Sequence, residues 1–202
     1  MEILRGFGPL DPGSTPGEPA NLFNLQPSAF MEKVVKLMFE FGTLKLIPRS
    51  GWFKIGIKNP ESVAEHSFRT AFIASVIAYM ETKDFDKACK ACLLGLIHDL
   101  NESRTLDLHK LSRRYVRVER DAFEDQIKLM PFAEELKKAM NELMDYVKDA
   151  DQLELLLQAK EYSESYPSAM LYTKNLKFKT ETAKKLAEII RKSDWRWWLE
   201  LE

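Results

Sequence analysis

Histidine is scarce in this chain, with three in 202 residues: His66, His98 and His109. That is too few for a histidine-rich centre of two metal ions, but enough for one cation if two of them converge. Cysteine is scarcer still. Cys89 and Cys92 form a C-x-x-C, yet a structural zinc site would need two more ligands. A redox pair would follow a strand at a helix start, and no strand pattern precedes this one. Both lie in an alanine-rich helical stretch and are expected to pack as small apolar core residues. No apolar run approaches the roughly 20 residues of a membrane span. The N-terminus lacks the basic-then-apolar pattern of a signal peptide, so a cytoplasmic location is expected. Neither charge dominates: 30 Lys and Arg against 31 Asp and Glu leave a formal net charge of −1. Such a chain has no global pull toward nucleic acid or an anionic membrane, and neither is expected as a partner. Alternating strand patterns and internal repeats are also missing.

What is present is the composition of a globular protein, 45% hydrophobic and 30% charged, long enough for one substantial core. Glycine and proline crowd residues 1–26, which read as a mobile arm ahead of a single domain over 27–202. Phe30, Val34, Leu37, Met38, Phe41 and Leu44 make an apolar helical stripe after Ser28. A loop over 48–60 holds Arg49-Ser50-Gly51-Trp52. Ser62-Val63-Ala64-Glu65 is a capping box that predicts a helix from Ser62 through Tyr79. Asp86 is expected to cap the next helix, ending near Asn101. Ser112 would open another to about Met130, and Pro131 suits the first turn of a following one. Val147 to Tyr162 and Thr180 to Lys192 complete the helical segments. The predicted fold is an all-α, single-domain bundle.

His98-Asp99 directly follows the apolar run Ala91–Ile97. A buried imidazole or carboxylate is costly unless paired or metal-bound. His66 lies just past the capping box, and Asp151 lies in a charged helical stretch. Singly, each has an ordinary reading: His66 as an acid's partner at a helix edge, Asp151 as a surface helix charge. Together, two neutral imidazoles and two carboxylates cancel the charge of a divalent cation. Mixed nitrogen and oxygen ligands suit Mn²⁺, Fe²⁺, Co²⁺, Ni²⁺ or Zn²⁺ better than Ca²⁺. Drawn from three helices, they would make an inward-facing metal site of the kind helical bundles build.

The order His66, His98-Asp99, Asp151 resembles that of the HD-domain metal-dependent phosphohydrolases. The flanking words narrow the resemblance: Pro60-Glu61-Ser62-Val63-Ala64-Glu65-His66-Ser67, His98-Asp99-Leu100-Asn101-Glu102, and Asp151…Glu154…Gln158-Ala159…Glu161-Tyr162. They are similar to the 5′-deoxynucleotidase branch, over about residues 30–165. The resemblance implies one divalent metal ion held by His66, His98, Asp99 and Asp151, and a nucleotide substrate. It implies Glu102 and Asp107 as catalytic acids, with Glu102 on the helical face of His98, four residues on. It implies Arg49 as a phosphate-binding residue and Trp52 against base or sugar, although Trp52 could equally close over the core. The family usually has glycine before the second acid, where this chain has Leu106, so the loop shape there does not follow from the resemblance. Ser103 after Glu102 departs from the HD-x-x-E-D of (p)ppGpp hydrolases. Another HD-type nucleotide phosphohydrolase, acting on a triphosphate or on a cyclic or diester substrate, is the enzymatic alternative, and a metal-stabilised scaffold that binds a partner the non-enzymatic one. The tail Asp194-Trp195-Arg196-Trp197-Trp198-Leu199 is expected to pack on the protein's own core or to serve a homodimer, which the family supports.

Overall fold

The computed structural model describes residues 27–116 and 121–201; the arm expected over 1–26 lies outside them. Among the described residues there are seven α-helices and no strand, the one extended pairing being an isolated bridge between Pro48 and Ser62. α1 is Pro27–Thr43 and α2 is Val63–Thr82. The capping box forms as its sequence predicts. Ser62 Oγ accepts the Glu65 N–H at 3.2 Å, while the Glu65 carboxylate accepts the Ser62 N–H at 2.6 Å.

Asp84, not Asp86, caps α3 (Phe85–Ile97), accepting the Lys87 N–H at 3.1 Å. Asp86 sits in the first turn instead, where a carboxylate meets the positive end of the helix dipole. A tight turn over 98–101 leads into α4 (Glu102–Thr105). Of the helix expected from Ser112 to Met130, residues 117–120 lie outside the described residues, and the described part holds a 3-10 turn at Ser112–Arg114 and the short α5 (Ala122–Ile127). Asp121 has extended backbone and accepts the Phe123 and Glu124 N–H groups, so a new helix starts there. Pro131 precedes α6 (Ala133–Tyr162) rather than lying in its first turn. α6 runs for 30 residues, uniting the two helices expected after Pro131 and from Val147; no glycine or proline interrupts it. α7 is Glu181–Lys192, capped by Thr180.

α2, α3 and α6 enclose the core with Ile77, Leu94, Ile97, Leu143, Leu153 and Leu156, all nearly inaccessible. The buried stripe of α3 runs through Ala88, Ala91, Leu94, Gly95 and Ile97. The cysteines flank this stripe rather than joining it: Cys89 is exposed and Cys92 half-buried. Packing of the tail on the core is not found either. Trp195 and Trp197 both contact Trp198 edge-on, at 5.3 and 6.1 Å between centroids, and Trp197 is 66% exposed.

One glycine sets the distance between α2 and α3. A Cβ on Gly95 would stand 2.7 Å from Ala71 Cα and 3.1 Å from Ala71 N. The two backbones therefore touch three residues before His98 and five after His66. Gly95→Ala is expected to force the helices apart and cost about 1–3 kcal/mol, as overpacking generally does. Urea unfolding checks this; an unchanged midpoint would show that the crossing can yield.

Candidate metal centre

His66 sits on the buried side of α2, fully enclosed, and His98 follows the last turn of α3. Asp151 faces them from the middle of α6. The two Nε2 atoms are 3.3 Å apart, and Asp151 Oδ1 is 3.2 Å from His66 Nε2. One ligand atom from each of the three lies within 4.8 Å of the others. Asp99 Oδ2 is 3.3 Å from His98 Nε2 and 3.7 Å from His66 Nε2. It also accepts a hydrogen bond from Arg49 Nη1 at 3.0 Å. All four residues named from the sequence thus meet in one place, with Asp99 shared between the imidazoles and the arginine. His109 is not in this cluster; its ring lies against Gly51 of the Arg49 loop, and its Nδ1 accepts the Leu111 N–H.

The opposite ring nitrogens explain why both Nε2 atoms face the same point. His98 Nδ1 donates to the Gly95 carbonyl at 2.7 Å, and a carbonyl can only accept, so the ring proton resides there. His66 Nδ1 lies 2.6 Å from Glu154 Oε2, which holds its proton in the same way. Two Nε2 atoms and two carboxylates facing one point are a donor set that fits a divalent cation of the borderline class once His66 gives up its Nε2 proton.

Glu154 and Arg69 carry this orientation, and neither was singled out from the sequence. Glu154 is 1% exposed. Its Oε1 accepts from Arg69 Nε at 3.0 Å and Nη2 at 2.8 Å, while Arg69 also donates to Gln158 and Glu161. A spacing signal did exist. Asp151, Glu154, Gln158 and Glu161 fall at 3-4-3 intervals on α6, and Arg69 is three residues from His66 on α2. Polar stripes that face each other across a core imply mutual pairing, but two separate helices do not reveal that they face.

The charges settle accordingly. Burial and Arg49 would lower the His66 pKa, but hydrogen bonds to Asp151 and Glu154 outweigh them and raise it to about 10. Burial favours protonation of Asp99, yet His98, Arg49 and His66 hold it well below the usual carboxylate range. Glu154 is likewise lowered, against its burial, by His66 and Arg69.

Arg49 stands on a loop fixed at both ends, its N–H donating to the Glu61 carbonyl at 2.9 Å and the Val63 N–H donating to the Ile47 carbonyl at 2.8 Å. Its guanidinium lies 4.0 Å from Asp151 Oδ1 and from Glu102 Oε2, besides its bond to Asp99. Burial would lower its pKa, but Asp99, Asp107, Asp151 and Glu102 raise it, so it stays charged.

Glu102 reaches the cluster differently from a same-face helical residue. α3 ends at Ile97, and the chain turns through the Leu100 N–H to Ile97 and Glu102 N–H to Asp99 hydrogen bonds, which bring Glu102 to the start of α4. It is 2% exposed, and Oε2 has no hydrogen-bond partner among the described residues. Burial, with Asp99 and Asp107 nearby, pushes its carboxyl up to about 8.

Asp107 Oδ2 accepts the Ser50 N–H at 2.6 Å and so ties its loop to the Arg49 loop. Leu106 before it adopts φ 62°, ψ 165°, with an exposed side chain. That backbone suits glycine, and a leucine held there carries strain of about 1–3 kcal/mol. Leu106→Gly is therefore expected to raise stability by about 1 kcal/mol after its entropic cost; a lowered urea midpoint would refute the strain. Trp52 takes the second of its sequence readings. It is 3% exposed, donates to Glu61 Oε1 at 3.0 Å, and meets Tyr162 and Tyr172 edge-on. Its burial makes it the floor of the Arg49 loop.

Comparison with known proteins agrees with this geometry. A family profile described as an HD domain matches residues 41–194. The 5′-deoxynucleotidase HDDC2 of Bos taurus is 33% identical over 139 residues, 61% of this chain and 64% of that protein. The match thus spans just under two thirds of that relative. A solved structural-genomics target is 44% identical with a TM-score of 0.76, covering 83% of this chain and 99% of its own. A coding region from Archaeoglobus fulgidus is 38% identical with a TM-score of 0.61, covering 80% and 95%.

Proposed function

The chain belongs to the HD domain family, and on that footing we propose that it is a metal-dependent 5′-deoxynucleotidase. Deoxynucleoside 5′-monophosphate and water would give deoxynucleoside and phosphate. The observation that most supports this is the pair of Nε2 atoms turned to one point beside Asp99 and Asp151, with a buried, unpartnered Glu102 oxygen and a charged Arg49 at its edge. A structural metal would need neither of the last two. The curated relative supplies the substrate class.

His66, His98, Asp99 and Asp151 would hold one divalent ion of the Mn²⁺, Fe²⁺, Co²⁺, Ni²⁺ or Zn²⁺ type. Such an ion supplies positive charge to a phosphate and lowers the pKa of water. Arg49 neutralises phosphate charge with a guanidinium that cannot lose its proton. Glu102 holds or takes up a proton at its unpartnered oxygen, from attacking water or toward the departing sugar oxygen. Asp107 keeps the Arg49 loop in register through Ser50. The P–O5′ bond breaks, a P–O bond to water forms, and the water's protons go to the leaving alkoxide and the phosphate.

Phosphate release from a panel of deoxynucleoside monophosphates with Mn²⁺ or Co²⁺ tests the reading. Its absence at full metal occupancy would favour the scaffold. Metal uptake gives a second test. His66 at about 10 is protonated at neutral pH, and a coordinating imidazole must be neutral. Metal binding to the stripped protein at pH 7 should release about one proton, and affinity should rise about tenfold per pH unit up to the His66 pKa. Calorimetry in buffers of different ionisation enthalpy reads the proton count; no release would show that His66 is already neutral in the metal-free protein, and unchanged metal affinity in His66→Ala would refute it as a ligand.

Among the described residues no helix is long and apolar enough to cross a membrane. A cytoplasmic homodimer completes the proposed reading. Exposed Phe68 and Phe72 on α2, with Trp197 and Trp198 in the tail, support such a contact.

A further inference from the structure

Glu102 lies between two guanidinium groups. Arg49 approaches Oε2 at 4.0 Å from the metal-ligand side, and Arg113 Nη2 approaches Oε1 at 3.7 Å from the other. Arg113 is anchored by its Nε, which donates to the Leu108 carbonyl at 2.9 Å. Its Nη groups have no hydrogen-bond partner among the described residues, and 3.7 Å is too long for a direct bond to Glu102. Beyond this guanidinium edge lies a cavity of about 280 Å³, with Asn101, Glu102, Thr105, Leu108, Arg113 and Asp121 in its lining. Amide, hydroxyl, guanidinium and carboxylate thus sit among leucine and alanine side chains, the mixture that orients a small organic ligand.

We propose that this cavity receives the leaving-alcohol part of the substrate, the deoxynucleoside, and that Arg113 is a binding residue on that side. The inference rests on the phosphomonoesterase reading above. If phosphate is held between Arg49 and the ligand cluster, Glu102 stands at the boundary between phosphate and what is cleaved from it. The alkoxide must leave on the side where Glu102 can deliver a proton, and Glu102 lines this cavity together with Arg113. Arg113 offers donors only, so it would bind hydroxyl or carbonyl oxygens of sugar or base. Discrimination among nucleosides then belongs to the segment after α4, not to the Arg49 loop, whose tryptophan is buried.

The test compares the metal-loaded full chain with Arg113→Ala and Arg113→Lys, using deoxynucleoside monophosphates and p-nitrophenyl phosphate. In Arg113→Ala, KM for deoxynucleotides should rise about tenfold with little change in kcat, the size of one charge-assisted hydrogen bond. The ratio of kcat/KM for nucleotide over p-nitrophenyl phosphate should fall by a similar factor, and lysine should restore part of it. An equal loss on both substrates would place Arg113 on the phosphate and overturn the assignment, as would an unchanged nucleotide KM. Saturation-transfer NMR with the unphosphorylated deoxynucleoside separates this from the reading beneath it. Binding to the wild type that Arg113→Ala abolishes supports the cavity whether or not phosphate is released, and equal binding to both proteins refutes it. Failure of the wild type to hydrolyse any nucleotide counts against the phosphomonoesterase reading alone.

Discussion

Glu102→Gln should keep its metal and lose turnover, with kcat lower by about 10²–10⁴-fold, the usual contribution of a positioned acid or base. The amide matches the carboxyl in size, so α4 and the turn over 98–101 should survive. What disappears is a group that can gain and lose a proton beside Arg49. The Glu102 carboxylate faces the Arg49 and Arg113 guanidinium groups, so metal content measured after dialysis should equal that of the wild type. Its carboxyl at about 8 places the proton exchange near neutrality. Retained turnover in Glu102→Gln would remove it from the chemistry. Loss of metal together with turnover would make it a ligand instead.

Glu154→Ala should have the largest effect on the protein itself. It strips Arg69 of a two-nitrogen contact and leaves the His66 Nδ1–H in the core without an acceptor. Breaking a buried ion pair from one side costs about 3–5 kcal/mol, since the remaining charge stays desolvated. Metal affinity should fall by about 10–100-fold, because nothing then fixes the His66 proton on Nδ1 or the ring in place. Urea unfolding and chelator competition measure the two effects separately. Glu154→Gln keeps an acceptor for His66 but not the charge for Arg69, so it should recover more metal affinity than stability. Stability and affinity both near wild type in Glu154→Ala would show that the pair does not position the ligand.

Both experiments bear on residues of different legibility. Glu102 was visible as the acid after His98-Asp99, although the helical geometry invoked for it is replaced by a turn. Glu154 appeared only among the residues flanking Asp151, with no role of its own. Its partner Arg69 is 85 positions away, and nothing local distinguishes a carboxylate buried against arginine from one in water. Trp52 had two readings of equal standing, and its indole bond to Glu61 chose between them. The misjudged helices share one cause. Asp84, Asp86, Ser112 and Pro131 are all acceptable near helix starts, and a cap preference worth about 1 kcal/mol yields to packing.

Helical class, the α2 capping box and the four clustered ligand types were determined by the sequence alone. Periodicity and capping act within a few residues, and the choice of donor atoms is a property of side chains wherever they stand. Tertiary structure decided what His98-Asp99 stands beside. The backbone contact at Gly95 sets α2 against α3, the uninterrupted α6 brings Asp151 and Glu154 across from them, and two ring protons are held outward so that two lone pairs meet. Those are distances between segments separated by 24 to 88 positions. They depend on how helices cross and what they exclude from water, which no local pattern contains.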